Sequence, residues 1–313
     1  MHDYLTLGPV FFNWAPEHWR DFYFRIADEA PIDTVVIGET VCAKRMAFFE
    51  PHLPEVIERL ESAGKEVVIA TLGLIMNRRE RDTVAALTAI EDWRVEANDV
   101  SALAALAGRP HAIGPMINVY NEATLAFLVE RGASRVTLPP ELPAASLKVL
   151  AGASNVDLEV QVFGRMGLAT SARCYHARAH GLHKDGCQFV CAEDPDGMTV
   201  DTLEGEAFLA VNGTQTLSYS YLNLSAEVAD LKAMGIHRFR LSPQDTDMVL
   251  IATAWRDLLD GRSDSDLTDD VLQRICGDVA FSNGFFRGRE GRAYAVETLE
   301  AARSTAVAMS STT

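Results

Sequence analysis

Apolar positions recur along this chain in two rhythms. Short β-branched runs at Thr34–Ile37, Glu66–Ala70, Arg135–Leu138 and Leu158–Phe163 read as strands, as does Leu5–Val10 near the start. Between them the period lengthens. Pro54–Ala63 carries Val56, Ile57 and Leu60 on one helical face, and Ala123–Gly132 carries Leu125, Leu128 and Val129. Strands alternating with helices imply a parallel sheet with helices packed outside it. The pattern predicts a (β/α) TIM-like barrel, incomplete or distorted, with a doubly wound open sheet as the competing architecture. Neither a dinucleotide fingerprint nor a P-loop follows any of these strands.

The rhythm breaks after residue 170. His176–Asp196 is rich in His, Cys, Asp and Gly and reads as a long loop or short irregular helices. Ala207–Val211 and Thr214–Ser218 then read as two strands around an Asn212-Gly213 turn, which supplies positive φ angles. A helix over Ala226–Met234, a strand at Arg238–Leu241 and a helix over Thr246–Leu259 follow. The acidic stretch Asp260–Asp270 reads as a linker, and Ser304–Thr313 as a frayed end. This organisation predicts a barrel-like domain over residues 1–260, including the Cys-rich loop 170–196. Residues 261–313 form a C-terminal helical extension packing on it.

Composition narrows the functional classes. The chain has 313 residues, 48% of them hydrophobic, enough for a large core. Its formal charge is −16, with 44 Asp and Glu against 28 Lys and Arg, which repels phosphate backbones and argues against a nucleic-acid partner. The basic run Arg78-Arg79-Glu80-Arg81 is broken by an acid and reads as a solvated helix face. No signal-peptide pattern opens the chain and no apolar run is long enough to span a bilayer, so a soluble, cytoplasmic protein is expected.

Cysteine carries the candidate chemistry. Cys174, Cys187 and Cys191 form C-x12-C-x3-C inside the polar break, and Cys42 follows the strand Thr34–Ile37. In a parallel α/β protein, that places Cys42 at the C-terminal edge of the sheet, where ligands collect. The loop with the other three begins after the strand ending at Phe163, at the same edge. Four thiolates there suit a [4Fe–4S] cluster. Four cysteines also hold zinc, usually as two close pairs, so the spacing favours the cluster and leaves zinc open. Buried free thiols are the bland alternative. Cys276, in a helix-like stretch ended by Gly277, reads as a small core residue. His176, His180 and His183 could ligate or support a metal, but read more simply as loop histidines. Arg165 and Arg173 could receive a carboxylate or form surface salt bridges. Lys44 could be a Schiff-base amine but has no supporting feature.

Two stretches, Glu159–Gly167 and Ser171–Cys174, fall in register with the signature of the peptidase U32 family. In that signature, an acidic residue opens a strand, a glycine follows five positions on, and two cysteines come later. Gly167 stands where the first of those cysteines normally sits, Cys174 keeps the second, and Cys187 and Cys191 are kept. Losing one cysteine while gaining Cys42 resembles the UbiV branch of oxygen-independent ubiquinone biosynthesis. So do Phe163–Met166, Cys187–Cys191, Asp194–Gly197 and Val211–Thr216.

The resemblance implies a [4Fe–4S] cluster on Cys42, Cys174, Cys187 and Cys191 and a heterodimer with a UbiU-like subunit. It also implies ring hydroxylation of a ubiquinone precursor without molecular oxygen, with prephenate as oxygen source, and a UbiT-like lipid carrier as a further partner. It supplies no catalytic residues and no peptidase triad, so proteolysis is disfavoured. The alternatives are a U32-type RNA base hydroxylase and a zinc-stabilised, non-catalytic partner protein.

Overall fold

The computed structural model describes residues 2–295. Seven strands come first: β1 (Tyr4–Leu7), β2 (Thr34–Ile37), β3 (Glu66–Ala70), β4 (Arg94–Ala97), β5 (His111–Ile113), β6 (Ala133–Leu138) and β7 (Asp157–Thr170). An excursion follows, comprising β8 (Met198–Asp201), β9 (Ala207–Asn212) and β10 (Gln215–Asn223), before β11 (Arg238–Leu241) and the short β12 (Phe281–Ser282). Each of β1 to β6 pairs in parallel with the next. β11 then pairs in parallel with both β7 and β1. That ring of eight closes a TIM-like barrel and excludes the open sheet.

The barrel interior is unusually polar. Arg240 on β11 donates to Glu96 on β4 at 2.7 Å and to Glu159 on β7 at 3.0 Å. β4 and β11 stand on opposite sides of the ring, so the first of these bonds crosses the interior. One layer lower, Arg135 on β6 reaches across to Glu66 on β3 at 2.9 Å. Side chains alternate along a strand, so the residues between these charges point out. Leu5, Val35, Val67, Val95, Val136, Leu158 and Phe239 all belong to the main hydrophobic core beneath the helices. Inside, Val36, Val68 and Ala70 form a small separate apolar cluster.

The outer helices form for ordinary reasons. Pro16–Glu29 begins with proline in its first turn and buries Trp19, Tyr23, Ile26 and Ala27 at helical spacing. Leu53–Ser62 buries Val56, Ile57 and Leu60, the face expected from the sequence. Met248–Leu259 starts two residues later than the pattern suggested, because the Asp247 side chain caps it by accepting from Val249 and Leu250 N–H.

Other elements differ from expectation. β1 stops at Leu7 rather than Val10, since Pro9 has no N–H to pair. The acidic stretch read as a linker is largely a helix, Ser265–Cys276, with Asp264 capping Leu267 N–H and Asp266 in the first turn, where the helix dipole favours negative charge. After it, β12 pairs with β10, and Asn283 and Arg287 both bind the fully buried Glu227. The end, Ser304–Thr313, lies outside the described residues. Among the described residues, no helix is long and apolar enough to cross a membrane.

β7 is the longest departure. It leaves the barrel at Gly164, whose φ is +94° and where a Cβ would lie 2.4 Å from the Ser242 carbonyl oxygen. Beyond that bend β7 runs antiparallel to β10.

Burial pushes the Glu159 pKa up, but Arg240 and Arg135 together hold it below its ordinary value. Stability from this carboxylate is therefore present above the ordinary range of ~4.3 and lost as pH falls through the lowered folded value. Arg240→Met strands two buried carboxylates and is expected to cost about 3–5 kcal/mol in urea unfolding. It should also flatten the fall in stability below about pH 4. An unchanged urea midpoint would mean that the interior pairs do not hold the barrel.

Candidate functional site

Cys42, Cys174, Cys187 and Cys191 line one cavity at the C-terminal edge of the barrel, together with Arg45 and Lys184. Cys42 lies in the loop after β2. Its N–H and that of Val41 donate to the buried Glu39 carboxylate at 2.9 and 2.6 Å, which fixes the loop against the strand end. Cys174 opens the short helix Tyr175–Ala179, and its Sγ accepts from the Ala177 N–H at 3.4 Å. Asn13 donates to Cys191 Sγ at 3.5 Å.

The Cys187–Cys191 spacing works through strain. Gln188 and Phe189 both adopt left-handed backbone, with φ of 50° and 55°. Two consecutive non-glycine residues there are costly, and such outliers gather at functional sites. They turn the chain within three residues, so that both thiols face the same cavity. Phe189 then packs edge-on against Phe48.

Arg45 is the electrostatic centre. It is 2% exposed and donates to the Phe11 carbonyl at 2.6 Å and to Asn212 Oδ1 at 2.8 Å. Burial pulls its pKa down, but Glu39, Cys191 and Cys42 hold it above its ordinary value. The cavity lining thus contains two basic side chains and no acid. Burial pushes the Cys42 thiol up, as does Glu39, and burial does the same to Cys174. Both shifts favour the protonated thiol at Cys42 and Cys174, and a metal bound there would displace those protons.

Asn212 explains a shift in the hairpin. It pairs with Gln215, so the two-residue turn is Gly213-Thr214 rather than Asn212-Gly213. Gly213 has φ +64°, and a Cβ there would lie 2.7 Å from Arg45 Nη2. The Asn212 side chain is committed to Arg45 and to the Phe11 carbonyl.

Other residues singled out from the sequence fall elsewhere. None of the three loop histidines lines the cavity. His176 is buried and pairs with Asp194 at 2.8 Å, His180 stacks on it, and His183 accepts from Gly186 N–H. Arg165 is neither a surface pair nor free to receive a ligand. It is 5% exposed and saturated by the Asp196 carboxylate and the Ser218 and Tyr219 carbonyls. Arg173 is exposed. Lys44 ties down the cysteine loop by donating to the carbonyls of Lys184 and Asp185. Cys276 is half-buried against the main core, away from the cavity. Sequence reasoning missed Arg45, Glu39 and Asn13. The first two flank Cys42 three residues to either side, which is the available signal.

The donor set fits an anionic thiolate-held metal group, since it pairs four thiols with a buried guanidinium and sulfur-directed N–H groups. Among the described residues, no three His, Cys, Asp or Glu side chains close on a point tightly enough to grip a single ion. The four cysteines line one cavity.

Fold and site together define a TIM-like α/β barrel with a four-thiol cavity at the C-terminal edge of its strands. The chain belongs to peptidase family U32, which it matches over residues 21–294. Among solved structures it is similar to the U32 peptidase Mk0906, at 12% identity and TM-score 0.45, covering 78% of this chain and 94% of that one. It is also similar to a truncated 3-deoxy-D-arabino-heptulosonate 7-phosphate synthase from Thermotoga maritima, at 10% identity and TM-score 0.44, covering 86% and 88%. A third is Mycobacterium tuberculosis tryptophan synthase, at 11% identity and TM-score 0.38, covering 87% and 93%. At such distances the barrel rests on the strand pairing, not on the likeness.

Arg45→Met leaves the Glu39 carboxylate buried without its counter-charge and is expected to cost about 3–5 kcal/mol in chemical denaturation. Arg45→Lys should recover only part of this, because one ammonium cannot span the Phe11 carbonyl and Asn212 as a guanidinium does. Full recovery by lysine would reduce Arg45 to a point charge.

Proposed function

We propose that this chain is an iron–sulfur subunit of an oxygen-independent aromatic hydroxylase, of the UbiV branch of family U32. Cys42, Cys174, Cys187 and Cys191 hold a [4Fe–4S] cluster in this reading. The observation that carries it is the single cavity that collects these four thiols from two distant loops over a buried arginine. When bound, such a cluster supplies electrons one at a time at a potential set by its charge, hydrogen bonds and exposure.

The chain's own residues have distinct parts in this. Arg45 offsets the negative charge of four thiolates from below. Asn13 and the Ala177 N–H donate to sulfur at Cys191 and Cys174, which favours the electron-rich state. Glu39 holds the Cys42 loop in place, and Phe189, packed edge-on against Phe48, supplies an apolar part of the cavity wall. Zinc fits less well, because four-cysteine zinc sites usually use two close pairs, and here Cys187 and Cys191 are joined by one nearer and one remote cysteine. An RNA base as substrate is disfavoured by the −16 charge. The UbiU-like partner, the UbiT-like carrier, prephenate as oxygen source and ubiquinone as end product follow from the resemblance to that branch.

Iron and acid-labile sulfide in anaerobically purified protein test the reading. About four of each per chain are expected, with the cluster lost in Cys42→Ala. One tightly held zinc and no iron would overturn it. A full cluster surviving in Cys42→Ala would remove Cys42 from the ligand set.

A further inference from the structure

The cysteine cavity adjoins an open groove of about 590 Å³ along the loop that follows Cys174. Arg173, Arg178, His183 and Lys184 line it, with Leu182 among them. No Asp or Glu lines the groove, and Asp185, next in the chain to Lys184, lines neither space. Cys174 and Lys184 belong to both linings, so they form the wall between them.

These cations are not spent on the protein itself. Arg165, Arg238, Arg240 and Arg287 each hold a carboxylate. Among the described residues, Arg173, Arg178 and Lys184 are paired with none. The Lys184 ammonium instead meets Met76 Sδ at 3.4 Å. Met76 stands two residues before the helix Arg78–Thr88, so the basic run Arg78-Arg79-Glu80-Arg81 begins close to the groove. Like charges gathered without partners repel one another, and such a surface is suited to a partner of opposite sign. Tyr175, 47% exposed at the start of the short helix after Cys174, adds a flat aromatic contact of the kind that anchors interfaces.

A compact acidic protein fits this surface better than a nucleic acid does. An extended polyanion would run past the groove onto a chain whose net charge is −16. An acidic patch on a small protein meets the groove alone. Cys174 gives that partner something to do. It is 9% exposed, and a donor seated in the groove is one thiol away from anything the four cysteines hold.

We propose that the groove docks a small acidic electron carrier, an iron–sulfur or flavin protein, which reduces the cluster by way of Cys174. The inference rests on the iron–sulfur reading and adds its electron source. In each encounter one electron leaves the reduced carrier, which is oxidised, and enters the cluster, which is reduced. No bond is made or broken and no proton moves at the groove. Encounters of this kind are small in area and steered by charge.

Two acidic probes test it, a plant-type [2Fe–2S] ferredoxin and a flavodoxin, titrated into the anaerobically purified full chain with its iron content recorded. At least one should bind. Its affinity should fall at least about ten-fold as salt rises from about 0.01 M to about 0.1 M, which shortens screening from about 30 Å to about 10 Å. Arg173→Glu combined with Arg178→Glu should weaken binding by about ten-fold or more. In stopped flow the same variant should slow reduction of the cluster by the reduced carrier and leave reduction by dithionite unchanged. Arg131→Glu combined with Lys148→Glu makes an equal change in net charge at exposed positions on the outer helices, and should leave both nearly unchanged.

Binding of neither probe, binding indifferent to salt, or equal losses in the two double variants would overturn the docking. Tighter binding of a short single-stranded RNA than of either protein would do so too. Slowed reduction by dithionite would place the two arginines in the support of the cluster rather than at a docking surface, and would also overturn it. In each case an iron-loaded chain leaves the cluster reading standing, whereas a chain without iron overturns both.

Discussion

The interior ion pairs of Arg240 with Glu96 and Glu159 set the terms for the rest of this fold. Three buried charges are stable only when all are paired, so the ring must close with β4, β7 and β11 in one register. A slip of one residue would turn Arg240 out under the helices and Phe239 in among the carboxylates. The pairs therefore specify the barrel more than they add to its stability. An apolar filling of the same volume would be comparably stable without choosing the register so strictly.

What the barrel fixes, the excursion between β7 and β11 uses. β7 bends out at Gly164 and carries the chain to the mouth, where β9 and β10 fold back as a hairpin. Arg45 pins that hairpin to the β1 and β2 loops, through Asn212 on one side and the Phe11 carbonyl on the other. Thr214 adds a third tie by donating to the Val41 carbonyl at 3.0 Å. One buried guanidinium thus positions the floor of the cysteine cavity.

The polar interior also explains what could be read from the sequence. β2, β3 and β11 were legible to the residue, because β-branched runs or flanking breaks marked them. β4 and β5 were not, since Arg94-Val95-Glu96-Ala97 and His111-Ala112-Ile113 put charged or polar groups where a parallel strand is expected to be apolar throughout. A full ring of eight could not be counted for the same reason, since these two strands were the ones missing. The acidic helix was hidden because carboxylates at its cap and first turn look like a linker when read as composition. At the site, the cysteines were conspicuous by spacing. Arg45 was not, because only the folded hairpin gives a lone arginine its two acceptors.

Cys42 makes the cavity a property of the closed barrel rather than of the cysteine loop. Cys174, Cys187 and Cys191 belong to one loop and could approach each other in a partly folded chain. Cys42 reaches them only once β2 is seated in the ring and Glu39 has gathered the N–H groups of Val41 and Cys42. A group held by all four thiols would therefore bind the native state and not the unfolded one, and would stabilise the barrel by mass action. The reverse also holds. Losing the interior ion pairs would loosen the β2 loop and open the site from below, although none of those charges touches a thiol. The polar core and the thiol cavity are thus coupled through the register of a single parallel sheet.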